Sequence, residues 1–145
     1  MDMHKMDRAE WLEFVHHGTR TGKLATVRAD GSPHVAPIWF VVDEDSDRVV
    51  FMTGADTVKG KALRREPRFA LCVDLEREPY AYVQFQAVAE ISEDPDDLLR
   101  WSTVIARRYM GEERAEEYGR RNAVPGELLV FGRITKVIAL AAISD

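Results

Sequence analysis

Residues able to do chemistry concentrate between Met52 and Pro67, Met-Thr-Gly-Ala-Asp-Thr-Val-Lys-Gly-Lys-Ala-Leu-Arg-Arg-Glu-Pro. The segment follows an apolar run, Arg48 to Phe51, and opens with small, hydroxyl-bearing residues suited to a turn. It continues into a short helical stretch with the cations Lys59, Lys61, Arg64 and Arg65, and Arg68 follows the helix-stopping Pro67. Only Glu66 opposes them within the helical stretch, although the chain as a whole carries a net charge of −5. Backbone N–H groups at a turn entering a helix attract anions, and nearby cations strengthen the effect. A phosphate-bearing ligand is the simplest occupant. The plainer alternative is a solvated helix face whose cations pair with neighbouring acids.

The flanking pattern supplies the elements that must hold this segment. Asp7-Arg8-Ala9-Glu10 reads as an N-cap with Glu at the third helical position, and Trp11, Leu12, Phe14 and Val15 form a helical stripe ending near Gly18. Strands are expected over Lys23–Arg28, His34–Val42 and Arg48–Thr53, joined by turns at Asp30-Gly31-Ser32-Pro33 and Glu44-Asp45-Ser46-Asp47. Beyond the cationic segment, Arg68–Leu75 and Tyr80–Ile91 read as strands. In the latter, Ala81, Val83, Phe85, Ala87, Ala89 and Ile91 alternate with Tyr82, Gln84, Gln86 and Glu90. Asp94-Pro95 starts a helix that ends near Met110-Gly111. A more polar helical piece over Glu112–Asn122 follows, then strands over Glu127–Arg133 and Lys136–Ile143.

Six or seven strands with short connections predict a mainly β, α+β chain, folded as one domain over residues 1–145 into a closed or nearly closed antiparallel barrel with flanking helices. The strand His34–Val42 is apolar on both faces, Ala36, Ile38, Phe40 and Val42 on one and Val35, Pro37, Trp39 and Val41 on the other. A small barrel buries one face only, so a helix, a partner subunit or a flat ligand must cover the second. Pro33 and Pro37 lack an N–H and point to an edge or a bulge.

Composition narrows the classes. A hydrophobic content of 46% excludes disorder, and the acidic balance argues against general affinity for nucleic acid or anionic membrane. The one cysteine, Cys72, excludes a disulfide framework and fits a reducing cytoplasm, with a buried inert thiol as its default state. Met1–Glu13 has no apolar core of a signal peptide, and no run approaches the ~20 apolar residues of a membrane span. The four histidines and Cys72 are not spaced as a metal site. His16-His17 at a helix end reads as a favourable dipole interaction. Trp101 and Tyr109 read as packing on the barrel, and Glu112–Glu117 as a solvated face or, less simply, a protein-docking surface.

Two blocks carry a resemblance. Thr26-Val27-Arg28-Ala29-Asp30-Gly31-Ser32-Pro33-His34-Val35-Ala36-Pro37-Ile38-Trp39-Phe40 resembles the first hairpin of the pyridoxamine 5′-phosphate oxidase-like split β-barrel proteins. Lys59-Gly60-Lys61-Ala62-Leu63-Arg64-Arg65-Glu66-Pro67-Arg68 resembles their segment of Lys, then Leu, Arg and Pro. The likeness covers Leu12 to Ile91 best. Within that superfamily the chain is most similar to the flavin and deazaflavin oxidoreductases, homodimers with a cofactor at each end of the subunit interface. The resemblance implies an oxidoreductase in which reduced coenzyme F420 delivers hydride to a small organic substrate. The alternatives are an FMN-dependent reductase or oxidase of the same fold, and a non-catalytic flavin- or haem-binding protein.

It further implies that Thr53 and Lys59 contact the cofactor phosphate. Val35, Ala36, Pro37, Ile38 and Trp39 would lie along the ring system, and Lys61 and Arg64 would meet an acidic tail. Trp39 also reads as core or interface. The family strand usually carries glycine where this chain has Gln86, a side chain that would narrow the site or bond the ring edge. The insertions and Arg-rich C-terminal signature of true pyridoxamine 5′-phosphate oxidases are absent, which argues against vitamin B6 synthesis. Hydride transfer asks little of protein side chains, since the cofactor carries the reaction. Where a proton is also needed, His34 and Tyr82 are the candidate donors.

Overall fold

The computed structural model describes residues 2–145. Eight strands and four helices follow in the order β1 (His4–Lys5), α1 (Arg8–His16), β2 (Gly22–Val27), β3 (Pro33–Ile38), β4 (Val41–Asp43), β5 (Arg48–Gly54), α2 (Val58–Arg65), β6 (Arg68–Leu75), β7 (Ala81–Ser92), α3 (Pro95–Met110), α4 (Ala115–Asn122) and β8 (Glu127–Ala141), with a 3-10 turn at Glu112–Arg114 before α4. All pairings are antiparallel, in the order β3-β2-β6-β7-β8-β5-β4, with β1 added beside β8.

The sheet is a split barrel and does not close. β3 and β4 lie at its two opposite edges, yet only Trp39 and Phe40 separate them in the chain. Two linking residues span at most ~11 Å from Ile38 to Val41. The sheet must therefore curl until its edges nearly meet, while no ladder joins them. This corrects the single strand expected over His34–Val42: the apolar run is continuous, but the backbone leaves one edge and enters the other. Both prolines fall on an edge strand, where a missing donor costs nothing.

α3 bridges the split. The Arg108 guanidinium donates to the carbonyls of Phe40 (2.7 Å), Val15 (2.6 Å), Gly18 (3.0 Å) and Arg20 (3.3 Å). The Tyr109 hydroxyl donates to the Arg20 carbonyl (2.8 Å) and accepts from the Phe40 N–H (3.2 Å). Val42 N–H donates to Nε2 of His16 at 3.0 Å. His16 is therefore a neutral acceptor, and burial together with the nearby Arg108 charge lowers its pKa. The helix-dipole reading of His16 is overturned, because an imidazolium has no lone pair to offer.

Long strand β8 replaces the two strands expected over Glu127–Arg133 and Lys136–Ile143. Ile134 pairs with Ala87 and Lys136 with Gln86, so Thr135 is an extra residue in the ladder, and its hydroxyl donates to the Gln86 carbonyl at 3.1 Å. The sequence irregularity marks a β-bulge, not a strand end.

The barrel interior is filled by Leu24, Phe40, Phe51, Leu71, Val73, Val83 and Phe85, with Trp11 of α1 set edge-on to Phe85 at 5.3 Å. A second cluster, Val41, Val50 and Leu129 against Leu98 and Ile105, seats α3 on the outside of β4, β5 and β8. Caps are local and match the residue types: Asp7 accepts from Glu10 N–H, and Asp94 from Asp96 and Asp97 N–H. No helix among the described residues is long and apolar enough to cross a membrane.

Candidate functional site

The turn from β5 into α2 is built around hydroxyls. Thr57 caps α2: its Oγ1 accepts from Gly60 N–H (3.1 Å) and donates to the Gly54 carbonyl (2.7 Å). With that proton committed, the Thr53 hydroxyl at 3.0 Å donates to Thr57. The N–H groups of Val58 and Lys59 have no acceptor among the described residues. A Cβ on Gly60 would stand 2.2 Å from the Gly54 carbonyl oxygen, so only glycine lets α2 lie this close to the strand end.

Beside this turn lies a cleft of about 300 Å³. One wall is Pro37, Ile38 and Trp39. A second is Met52, Thr53, Gly54, Thr57 and Lys59. Ser102 and Ile105 of α3, Asn122 of α4 and Glu127 of β8 complete it. Trp39 is held in place by Tyr109, the two rings stacked 5.1 Å apart and 2° from parallel. Trp39 is nevertheless 37% exposed, leaving indole surface free for a second ring.

The cations divide. Lys59 lines the cleft and makes no ion pair among the described residues. Arg64 pairs with Glu93 at 3.0 Å, Arg65 donates to the Val27 carbonyl, and Arg68 pairs with Glu66. Lys61 is exposed and outside the cleft lining. The segment thus places one lysine in the cleft and pairs its arginines at the surface.

The expected residues are brought together in part. Pro37, Ile38, Trp39, Thr53 and Lys59 share the cleft, whereas Val35, Ala36, Lys61 and Arg64 do not line it. Val35 sits 67% exposed on the outward face of β3. Neither His34 nor Tyr82 reaches the cleft. His34 stands opposite Thr26 across the β2–β3 ladder, its Nδ1 buried without a partner, and Tyr82 stands between Asp74 and Leu140. Gln86 lines a separate groove of about 580 Å³ with Val27, Pro33 and Phe69, so it does not narrow this cleft.

Thr57, Ser102, Asn122 and Glu127 were not singled out by the sequence. Thr57 stood inside the hydroxyl-rich segment and was legible as a cap. The other three arrive from elements 45 or more residues downstream of Thr57, with no local signal. Glu127 matters most. Burial raises the pKa of its carboxyl against the opposing charge of Lys59, and its Oε2 is buried with no hydrogen-bond partner.

As a test of fit, an unpaired lysine, two hydroxyls, two free helix N–H groups and an open aromatic face match a ligand with a phosphoryl group and a flat ring. Glu127 adds one carboxyl to the same lining. The open antiparallel sheet with its flanking helices is a split barrel of the kind the sequence resemblance implies. The chain belongs to the family described as pyridoxamine 5′-phosphate oxidase, whose model matches residues 8–132.

No curated protein sequence matches the chain. Among solved structures, the conserved hypothetical protein Rv2991 of Mycobacterium tuberculosis is 28% identical. It aligns over 96% of this chain and 87% of that one, with a TM-score of 0.81. An F420 reductase is 25% identical over 86% of this chain and 94% of that one, with a TM-score of 0.70. HutZ, a haem storage protein of Vibrio cholerae, is 19% identical over 91% and 94%, with a TM-score of 0.71, a likeness of fold alone.

Proposed function

We propose that this protein is a cytoplasmic oxidoreductase that binds coenzyme F420 in the cleft, across a homodimer, and reduces a small organic molecule. The observation that carries this reading is the unpaired Lys59 in the same cleft as the Thr53–Thr57 hydroxyl pair and Pro37, Ile38 and Trp39. The likeness to an F420 reductase supports it. When bound, the cofactor supplies the hydride, and the protein positions it. Lys59 neutralises the phosphoryl group. The N–H groups of Val58 and Lys59 donate to it, and the Thr53 hydroxyl turns its proton from Thr57 toward it. Trp39, braced by Tyr109, takes the ring. Val35, Ala36, Pro37 and Ile38 form the strand along which the ring system lies, Val35 from the face that a partner subunit would cover. The carbonyls that Arg108 gathers keep that strand end rigid and water out of the split.

Lys61 and Arg64 are exposed on the far side of α2, where an acidic tail leaving the cleft would run; Arg64 would exchange Glu93 for it. The pairing of Arg64 with Glu93 favours a second reading, FMN in the same cleft, which asks for one phosphate site only. In either case His34 and Tyr82 donate a proton only if the partner subunit brings them to the ring.

The test is a fluorescence titration of the purified protein with coenzyme F420 and, separately, with FMN. Tight binding of F420 with turnover of an electron acceptor by its reduced form is the expected result. Binding of FMN alone moves the protein to the second reading. Binding without turnover of any acceptor makes it a carrier, and binding of neither overturns the assignment.

A further inference from the structure

Lys59 brings one positive charge to the cleft and Glu127 brings one negative carboxylate, so the anion site is nearly neutral before any ligand arrives. Glu127 is not incidental to the turn. It pairs across the ladder with Gly54, and its Oε2 lies 3.6 Å from where a Cβ on Gly54 would stand. The carboxyl is thus packed beside the same turn whose Thr53, Thr57 and Lys59 line the cleft. Its Oε2 is buried with neither donor nor cation bonded to it among the described residues.

We propose that Glu127 is a specificity determinant that makes the cleft accept a singly charged phosphodiester and disfavour a doubly charged phosphomonoester. A phosphomonoester carries about −1.5 to −2 at pH 7, a diester one charge. With Lys59 already opposed by Glu127, a diester leaves the cleft about one charge negative and a monoester about two. The second charge of a monoester meets Glu127 with no second cation in the cleft lining, where Lys59 stands alone. The proposal rests on the cofactor reading above and deepens it: coenzyme F420 carries its phosphate as a diester and FMN as a monoester. The raised pKa of the carboxyl agrees with its low tolerance for further negative charge.

The experiment compares dissociation constants for F420 and FMN in wild-type protein, Glu127→Gln and Glu127→Ala, at one pH and salt concentration. Ring differences cancel in the ratio of ratios. Wild type is expected to prefer F420. Glu127→Gln is expected to tighten FMN about 10-fold and to shift F420 by no more than about 3-fold, the asymmetry expected of one removed like charge. Glu127→Ala should shift the ratio in the same direction, which guards against an effect of the amide itself. If both cofactors bind and the ratio stays constant across the three proteins, the role of Glu127 is overturned and the cofactor reading stands. If wild type binds neither cofactor, the cofactor reading falls and the selectivity falls with it.

Discussion

Lys59 is the residue on which the proposed ligand binding turns. It stands in the first turn of α2 without an ion-pair partner among the described residues. Its replacement removes charge without breaking a contact of the fold. A charge-assisted hydrogen bond is worth roughly 1.5–3 kcal/mol. Lys59→Ala should therefore weaken binding of the phosphorylated cofactor about 10- to 150-fold, with an unchanged melting temperature. A titration of that variant showing wild-type affinity would remove Lys59 from the phosphate site. The neighbouring cations behave differently. Lys61→Ala should leave the affinity for FMN unchanged, because its side chain stands outside the cleft.

The elements around the cleft are held by two joints. One is the contact of α2 with β5 through Gly60. A methyl there would approach the Gly54 carbonyl oxygen to 2.2 Å, and the strand backbone cannot yield as a side chain would. Gly60→Ala should cost about 1–3 kcal/mol of stability, the range of overpacked sites, and lower cofactor affinity by moving Lys59. Denaturant melts and a titration on the same sample check both effects.

The other joint is the brace of α1, β4 and α3, in which His16 accepts from Val42 N–H. The folded state holds the His16 pKa below its usual 6.5, because the ring is buried and Arg108 lies near. The stability it contributes is full above that unfolded value and is lost as pH falls through the folded one. Wild type should lose stability as pH falls below about 6.5, while His16→Leu, already lacking the acceptor, should show a flatter acid profile. Equal slopes in the two proteins would sink this role.

The whole molecule presents an unfinished surface. Val27 and Val35 are exposed on neighbouring strands at 39% and 67%, and Trp39 continues the apolar strip toward the cleft. α3 covers Val41 of the doubly apolar run but not Val35 or Pro37. A second copy of the chain is the simplest cover. Light scattering should give about twice the 16.5 kDa of the chain, and Val35→Asp should dissociate the dimer and weaken cofactor binding with it. A monomer at micromolar concentration would refute the shared site.

Short-range chemistry made most of the elements readable in the sequence. Asp7 and Asp94 cap helices through N–H groups two or three residues away, and the alternation of Ala81 to Ala87 survives in the burial of β7. Thr53, Lys59, Pro37, Ile38 and Trp39, which the family resemblance singled out, share one cleft because they lie in one contiguous turn and at the end of one strand. The presence of β1, the break at Trp39–Phe40 and the bulge at Thr135 were not legible in the sequence. Each depends on which strand lies alongside, and apolar periodicity is the same on either side of a crossover. Glu127 was equally silent. Its side chain meets Lys59 only because β8 pairs with β5, bringing together residues 68 positions apart. Local hydrogen bonding wrote the anion-binding turn into the sequence; the charge placed against it was decided by the tertiary structure, since long-range pairing leaves no trace in neighbouring residues.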